Sequence, residues 1–299
     1  MISMKNLLRN DRVCKALTGL TVCEVENLLV IFERCLVEYH SSKPNRQRAV
    51  GAGRKGVLPT ALDKLVFILI YVKVYPTFDV MGVMYGRARS KCCESVKWLL
   101  PLLEKALGYR CALPKRKITS VSDFYTCFPG IQDIFIDGTE RRVQRPQKPS
   151  AQRKMYSGKK KAHTRKNMVI SDENRRILLM APTKSGRRHD KRLADKSGLP
   201  AVIPQNVTLW TDTGFQGWQE DHPNVMMPTK ATKHHPLTPE QKSENRVVSA
   251  LRVVVEHAIG GYKRFRAASD IYRNRRTNFD DQLNIVSAGL WNYHLDMAA

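Results

Sequence analysis

Three carboxylates stand where a strongly basic chain has least reason to keep them. Asp137 follows the apolar run Ile134-Phe135-Ile136, Asp212 follows Val207 to Trp210, and Glu256 follows Val253-Val254-Val255. Taking a carboxylate out of water is costly unless cations or hydrogen bonds compensate. Each Asp precedes a Gly-containing turn (Gly138, Gly214), a position from which a strand-end side chain faces a crevice. An Asp there also serves simply as the cap of the turn. Glu256 lies on a helical stripe with Asn245, Ser249 and Arg252, and an i,i+4 ion pair with Arg252 is a sufficient structural reason for it. Taken as a set, the three form the oxygen-rich donor group that a pair of hard divalent cations requires. Two Mg²⁺ roughly 3.5–4 Å apart stabilise both the attacking and the leaving oxygen of an in-line phosphoryl transfer.

The rest of the composition names the other reactant. The chain has 299 residues, with 51 Lys+Arg against 27 Asp+Glu, a net charge of +24 and a pI near 10.0. Such an excess calls for a polyanion, nucleic acid before anionic membrane, and 42% hydrophobic content excludes a disordered basic tail. Between Arg141 and Arg192, 18 Lys+Arg face 3 Asp+Glu, so the charge is concentrated around the first candidate acid. The longest apolar stretch, Leu65 to Val72, is far short of the roughly 20 residues that cross a bilayer. Met1 to Arg12 lacks the features of a secretory signal, which points to the cytoplasm. The seven cysteines, with no CxxC pair, are expected to be reduced packing residues. The histidines are scattered, only His234 and His235 being adjacent, which disfavours zinc.

These residues need elements to position them. Up to about residue 110 the pattern is helical, with apolar spacings of three and four in Val22 to Val37, Leu62 to Tyr75 and Val96 to Leu107. Ser41 to Gly56 reads as a basic linker or arm. Pro76 to Leu100 has the outline of a helix-turn-helix: Thr77 as N-cap, a helix to Tyr85, Gly86 as stop, and a second helix from Ser90. Arg87, Arg89, Lys91 and Lys97 decorate the turn and second helix, either as a DNA-reading surface or as a solvated face. After Pro114 strands appear: Ile131 to Asp137 ending in a turn at Gly138, a hairpin around Asp172-Glu173-Asn174, and Val207 to Asp212. Helices over Pro239 to Ile259, with Leu251, Val254, Val255, Ala258 and Ile259 on the apolar side, and over Leu283 to Leu295 complete a mixed α/β pattern.

Five stretches together resemble the DDE transposases of IS5-type bacterial insertion sequences. They are IDGTERRVQRP (136 to 146), YSGKKKAHTRK (156 to 166), GRRHDKR (186 to 192), WTDTGFQG (210 to 217) and LRVVVEHAIGGYKRF (251 to 265). Arg252, Glu256 and Lys263 resemble the Tyr-Arg-Glu-Lys signature of related transposases, with Ser249 where that signature has Tyr. GRKGVLPTALDKLVFILIYVKVYPTFDVMGVMYGRARSK (53 to 91) is similar to the helix-turn-helix region of the same group.

The resemblance implies an α/β protein: an all-helical region with a helix-turn-helix over 1–112, then a ribonuclease-H-like mixed-sheet catalytic domain over 113–299. It implies that Asp137, Asp212 and Glu256 bind two Mg²⁺, with Mn²⁺ able to substitute. It also implies cleavage at the terminal inverted repeats of the element, transfer of the freed strand to target DNA in cut-and-paste transposition, and a homodimer assembled on double-stranded DNA, in the cytoplasm at the bacterial nucleoid. Lys159, Lys160, Lys161, Arg252 and Lys263 are candidate phosphate contacts beside Arg87, Arg89, Lys91 and Lys97. His189 is expected to begin a helix. The rival reading is a catalytically inactive or domesticated transposase acting as a DNA-binding regulator, and an RNA-binding basic protein ranks behind it.

Overall fold

A computed structural model describes residues 7–42, 56–232 and 236–298. Most of the expected basic arm, over 43–55, and the His234-His235 pair lie outside the described residues. The chain divides into two compact units, one made of residues up to Leu113 with Tyr262–Asp270 and Gln282–Ala299, the other of Pro114–Gly261 with Ile271–Asp281. The first unit therefore takes two C-terminal segments as well as the helical N-terminal region.

The first unit is helical because its local signals agree. Helices α1 (Asp11–Thr18), α2 (Val22–Ser41) and α3 (Ala61–Val74) are each N-capped by a side chain, Asn10, Thr21 and Thr60, the last two in reciprocal capping boxes with Glu24 and Asp63. Every residue from Leu65 to Val72 is buried, so α3 is the central helix and is apolar all round. Helices α4 (Phe78–Tyr85) and α5 (Arg89–Tyr109) form the helix-turn-helix outline. Thr77 caps α4, and Gly86 ends it in the left-handed conformation at φ 60°.

The second unit is built on a mixed sheet. Its strands are β1 (Asp133–Arg142), β2 (Tyr156–Ser157), β3 (Ala162–Ser171), β4 (Ile177–Met180), β5 (Lys184–Ser185), β6 (Thr208–Trp210) and β7 (Val225–Met226). The order is β2-β3-β1-β6-β7, with β4 and β5 also pairing β3; β1, β6 and β7 run parallel, while β3 is antiparallel to β1. This is a mixed α/β fold consistent with a ribonuclease-H-like domain. One face of β1 and β3, through Ile134, Ile136, Met168 and Ile170, packs into a core with Leu209, Phe215 and Trp218. The hairpin around Asp172 forms as expected, closed by hydrogen bonds between Asp172 and both Arg175 and Arg176.

The strand expected to stop at Asp137 continues to Arg142. Antiparallel β3 supplies ladder partners for every residue from Phe135 to Arg142, opposite Ser171 to Thr164, so Gly138 lies in the strand and not in a turn. Short helices α6 (Val121–Cys127), α7 (Pro149–Met155), α8 (Asp190–Ser197), α9 (Leu199–Val202) and α10 (Trp218–Asp221) connect the strands. His189 occupies the N-cap position of α8. The long helices α11 (Pro239–Lys263) and α13 (Phe279–Ala298) follow, separated by α12 (Arg266–Ser269). The apolar side of α11 is narrower than its pattern suggests: Val255 and Ala258 are fully buried, while Leu251 is 41% exposed.

Candidate active site

Parallel strands β1 and β6 pair with a constant offset of 75 positions: Asp133 with Thr208, Ile134 with Leu209, Phe135 with Trp210. Asp137 and Asp212 each stand two residues past the last of these pairs, Asp137 still within β1 and Asp212 beyond the end of β6. Because side chains alternate across a strand, Asp137 continues the β1 face that carries Phe135, opposite the face of Ile134 and Ile136. Below the two aspartates the register is locked. The Phe135 and Trp210 rings stack with centroids 6.1 Å apart, and Trp210 Nε1 donates to Asp133 Oδ1 at 2.7 Å.

Each aspartate is oriented by a backbone N–H close in sequence. Gly138 N donates to Asp137 Oδ1 at 2.7 Å, and Gly214 N donates to Asp212 Oδ1 at 2.9 Å. Asp212 thereby caps the short 3₁₀ turn Thr213–Phe215. Gly214 fits because a Cβ there would lie 2.8 Å from that same carboxylate oxygen. The capping reading and the ligand reading are therefore compatible, since one bond to an N–H fixes the rotamer of a carboxylate that has further lone pairs to offer.

Glu256 is exposed on α11. Val255 and Ala258 of the same helix are buried, and Asn245, on the stripe of Glu256, holds the helix to Thr229, its amide accepting from Thr229 N at 2.7 Å and donating to Thr229 O at 2.9 Å. Among the described residues no ion pair joins Arg252 to Glu256, and Arg252 Nε is buried without a hydrogen-bond partner. Nor do three His, Cys, Asp or Glu side chains come together, among the described residues, closely enough to hold an ion. The carboxylate oxygens of Asp137 and Asp212 are of the donor type that suits a hard divalent cation.

The basic candidates differ in their surroundings. Lys159, Lys160 and Lys161 are exposed in the turn between β2 and β3, with Lys161 at φ 47°. Between α4 and α5, Arg87 reaches from the turn onto α5 and donates to Ser95 Oγ at 2.7 Å. Arg89 lies 3.7 Å from Asp79, Lys91 lies 2.8 Å from Glu94, and these exposed pairs leave both cations at the surface, as is Lys97. Lys263 is the last residue of α11 and belongs to the first unit.

Three acidic side chains of the second unit, Glu140, Asp280 and Asp281, were not picked out by sequence reasoning. On the core face, Glu140 pairs with Lys166 at 3.3 Å and accepts from Thr164 Oγ1 at 2.6 Å. Burial pushes the Glu140 carboxyl up, but hydrogen bonds from Thr164 and Ser157 and the Lys166 charge outweigh it and leave it below its ordinary value. Lys166 Nζ also donates to Arg188 O at 3.0 Å, which ties the GRRHDKR stretch to β3.

At the start of α13, Asp281 Oδ1 accepts both the N–H and the hydroxyl of Thr183 at 2.7 Å, and Oδ2 pairs with Arg116. Burial raises its pKa, the two Thr183 bonds and Arg116 lower it, and the net shift is downward. Its neighbour Asp280 lies 2.6 Å from Arg165 Nε, yet burial dominates and its pKa is raised. A pair of acids at a helix N-terminus was a legible signal for these two.

The profile of the DDE superfamily endonucleases matches residues 136–292, a span containing all three candidate carboxylates. A probable transposase for insertion sequence element IS702 from Microchaete diplosiphon is 31% identical over 240 residues, covering 79% of this chain and 82% of that protein. No solved structure matches.

Proposed function

Because this chain belongs to the DDE superfamily endonucleases and is a transposase by that membership, we propose that it cuts DNA at the ends of its own insertion element and joins the freed strand to target DNA. The observation that supports this reading is the parallel β1–β6 pairing, whose last pair, Phe135 with Trp210, lies two residues before Asp137 and Asp212 on the two segments.

Asp137 and Asp212 hold the metal, and Glu256 on α11 is the third ligand. When bound, two Mg²⁺, or Mn²⁺ in their place, supply the Lewis acidity that activates water or a 3′-hydroxyl and stabilises the leaving oxygen. The chain's own part is positional. The Gly138 and Gly214 N–H groups hold the two aspartates in their rotamers. Arg252, one turn before Glu256, and Lys159, Lys160, Lys161 and Lys263 hold phosphates of the strand being cut. No protein side chain is needed as a covalent nucleophile. The exposed Arg89, Lys91 and Lys97 of the helix-turn-helix, with Arg87 bracing the turn, bind the inverted repeats. Two ends need two active sites, so the working form is a homodimer on DNA, acting in the cytoplasm at the nucleoid.

The test is Mg²⁺-dependent nicking of labelled DNA carrying the inverted repeats that flank the gene, with the wild-type chain set beside Glu256→Gln. Nicking that disappears in the variant while DNA binding persists supports the reading. Equal binding with no cutting by either protein, in Mg²⁺ or Mn²⁺, would leave the DNA-binding regulator in its place.

A further inference from the structure

Past Asp137, strand β1 runs on for five residues and then leads into a cleft of about 500 Å³ that no function above uses. Its walls lie wholly within the second unit: the strand exit from Val143 to Lys148, two residues of α7, and the loop from Tyr272 to Asn278. Six cations line it, Arg145, Lys148, Arg165, Arg273, Arg275 and Arg276, and no Asp or Glu does. Arg165 is engaged by Asp280.

The walls are built rather than draped. Val143 N donates to His163 O at 2.9 Å, extending the β1–β3 ladder, and Tyr272 N donates to Arg142 O at 2.9 Å while Gln144 N donates to Tyr272 O at 3.2 Å. The loop is pinned on itself as well, by Tyr272 Oη donating to Arg276 O at 3.2 Å and Arg276 N donating to Asn274 Oδ1 at 2.8 Å. On the opposite wall Gln152 accepts from Arg145 at 3.2 Å and donates to Pro146 O at 2.8 Å. Tyr272 is buried, with the Arg141 guanidinium 5.0 Å over its ring.

Like charges gathered in a concave, hydrogen-bonded frame repel one another until an anion enters, whereas the same arginines on a convex surface would be diluted by water. Five of the six cations are or include the planar fork that grips phosphate oxygens two at a time. Distance gives the anion its context. From Asp137 to Val143 the extended chain advances about 3.3 Å per residue, or roughly 20 Å, and successive phosphates of one strand lie roughly 3.4 Å apart along a DNA axis. The cleft mouth is thus about six nucleotide steps from the candidate metal ligands along the same strand of protein.

We propose that this cleft is a second DNA-backbone site, gripping a phosphodiester about six nucleotides from the one being cut. The proposal rests on the DNA-cutting reading of the preceding subsection. Its test is the salt dependence of binding to a fluorescein-labelled duplex of random sequence, measured by anisotropy with the full chain. Each protein-phosphate contact contributes about 0.9 to the slope of log K against log salt.

Arg275→Gln/Arg276→Gln, both at exposed side chains, should make that slope shallower by about 1–2. Arg275→Lys/Arg276→Lys should restore most of it. Arg9→Gln/Arg12→Gln, which removes the same charge from exposed positions far earlier in the chain, should leave it unchanged. An unchanged slope in the first variant, with its melting temperature intact, would overturn the proposal, as would an equal loss in the Arg9/Arg12 control. If inorganic phosphate raises the melting temperature of the wild type but not of the first variant while the DNA slopes coincide, the cleft takes free phosphate and the DNA placement falls. Absence of any DNA binding by the wild type would instead defeat the function proposed above.

Discussion

Two pairs of aspartates in the second unit differ in where their hydrogen-bond and charge partners come from. Asp137 and Asp212 are half-buried, and each accepts a backbone N–H from one or two residues away. Asp280 and Asp281 are folded into side chains contributed from far along the chain, Arg116, Arg165 and Thr183. Both pairs interrupt apolar surroundings in a basic protein, and from sequence they look alike. The second pair uses its oxygens to join β3, the residues after β4 and the start of α13. Even within the second pair position matters. Asp281, with donors aimed at it, is held below the ordinary carboxylate range, and Asp280, with a cation beside it but burial dominant, is pushed above.

The contrast breaks most readily at Asp137. Asp137→Asn should lower the rate of metal-dependent nicking by on the order of a thousandfold, the scale of several kcal/mol of charge stabilisation, with the melting temperature unchanged. A variant that unfolds would move Asp137 into the architectural class. Asp281→Ala should do the reverse, losing about 3 kcal/mol in urea unfolding because Arg116 and Thr183 are left without their acceptor. Trp210→Phe keeps the stack on Phe135 but removes the hydrogen bond to Asp133. It should lose about 1–2 kcal/mol, and if the register below the aspartates matters, nicking should fall further than stability does.

The smallest effect is the response to acid. The folded-state pKa of Asp281 lies below its ordinary 3.8, so its contribution is complete above that value and is lost as pH falls through the lowered one. Asp280, with its pKa raised, has the opposite sign: its contribution is complete below 3.8 and is lost as pH rises through the raised value. Urea unfolding across this range should therefore show a shallower acid loss in Asp281→Asn than in the wild type. A parallel curve would remove Asp281 from the group of ionised scaffold acids.

Much of the fold is visible in the residues themselves, and the reason is range. The helix-turn-helix is legible because a cap hydroxyl at Thr77 and a left-handed Gly86 act on their own turn of chain, and the hairpin at Asp172 closes within five residues. The three carboxylates could be singled out as candidates from their types and their apolar neighbours, because few other side chains suit a hard cation. What no local pattern contains is partnership. Whether β1 ends at Asp137 depends on whether β3 lies opposite, and the parallel pairing that precedes Asp137 and Asp212 joins residues 75 positions apart. Asp281 becomes scaffold only through Thr183, 98 residues away. Residue chemistry and local turns were thus determined by the sequence by itself. Tertiary structure decided which acids met donors from distant segments, because hydrogen bonds and strand ladders between such segments exist only once the chain has folded.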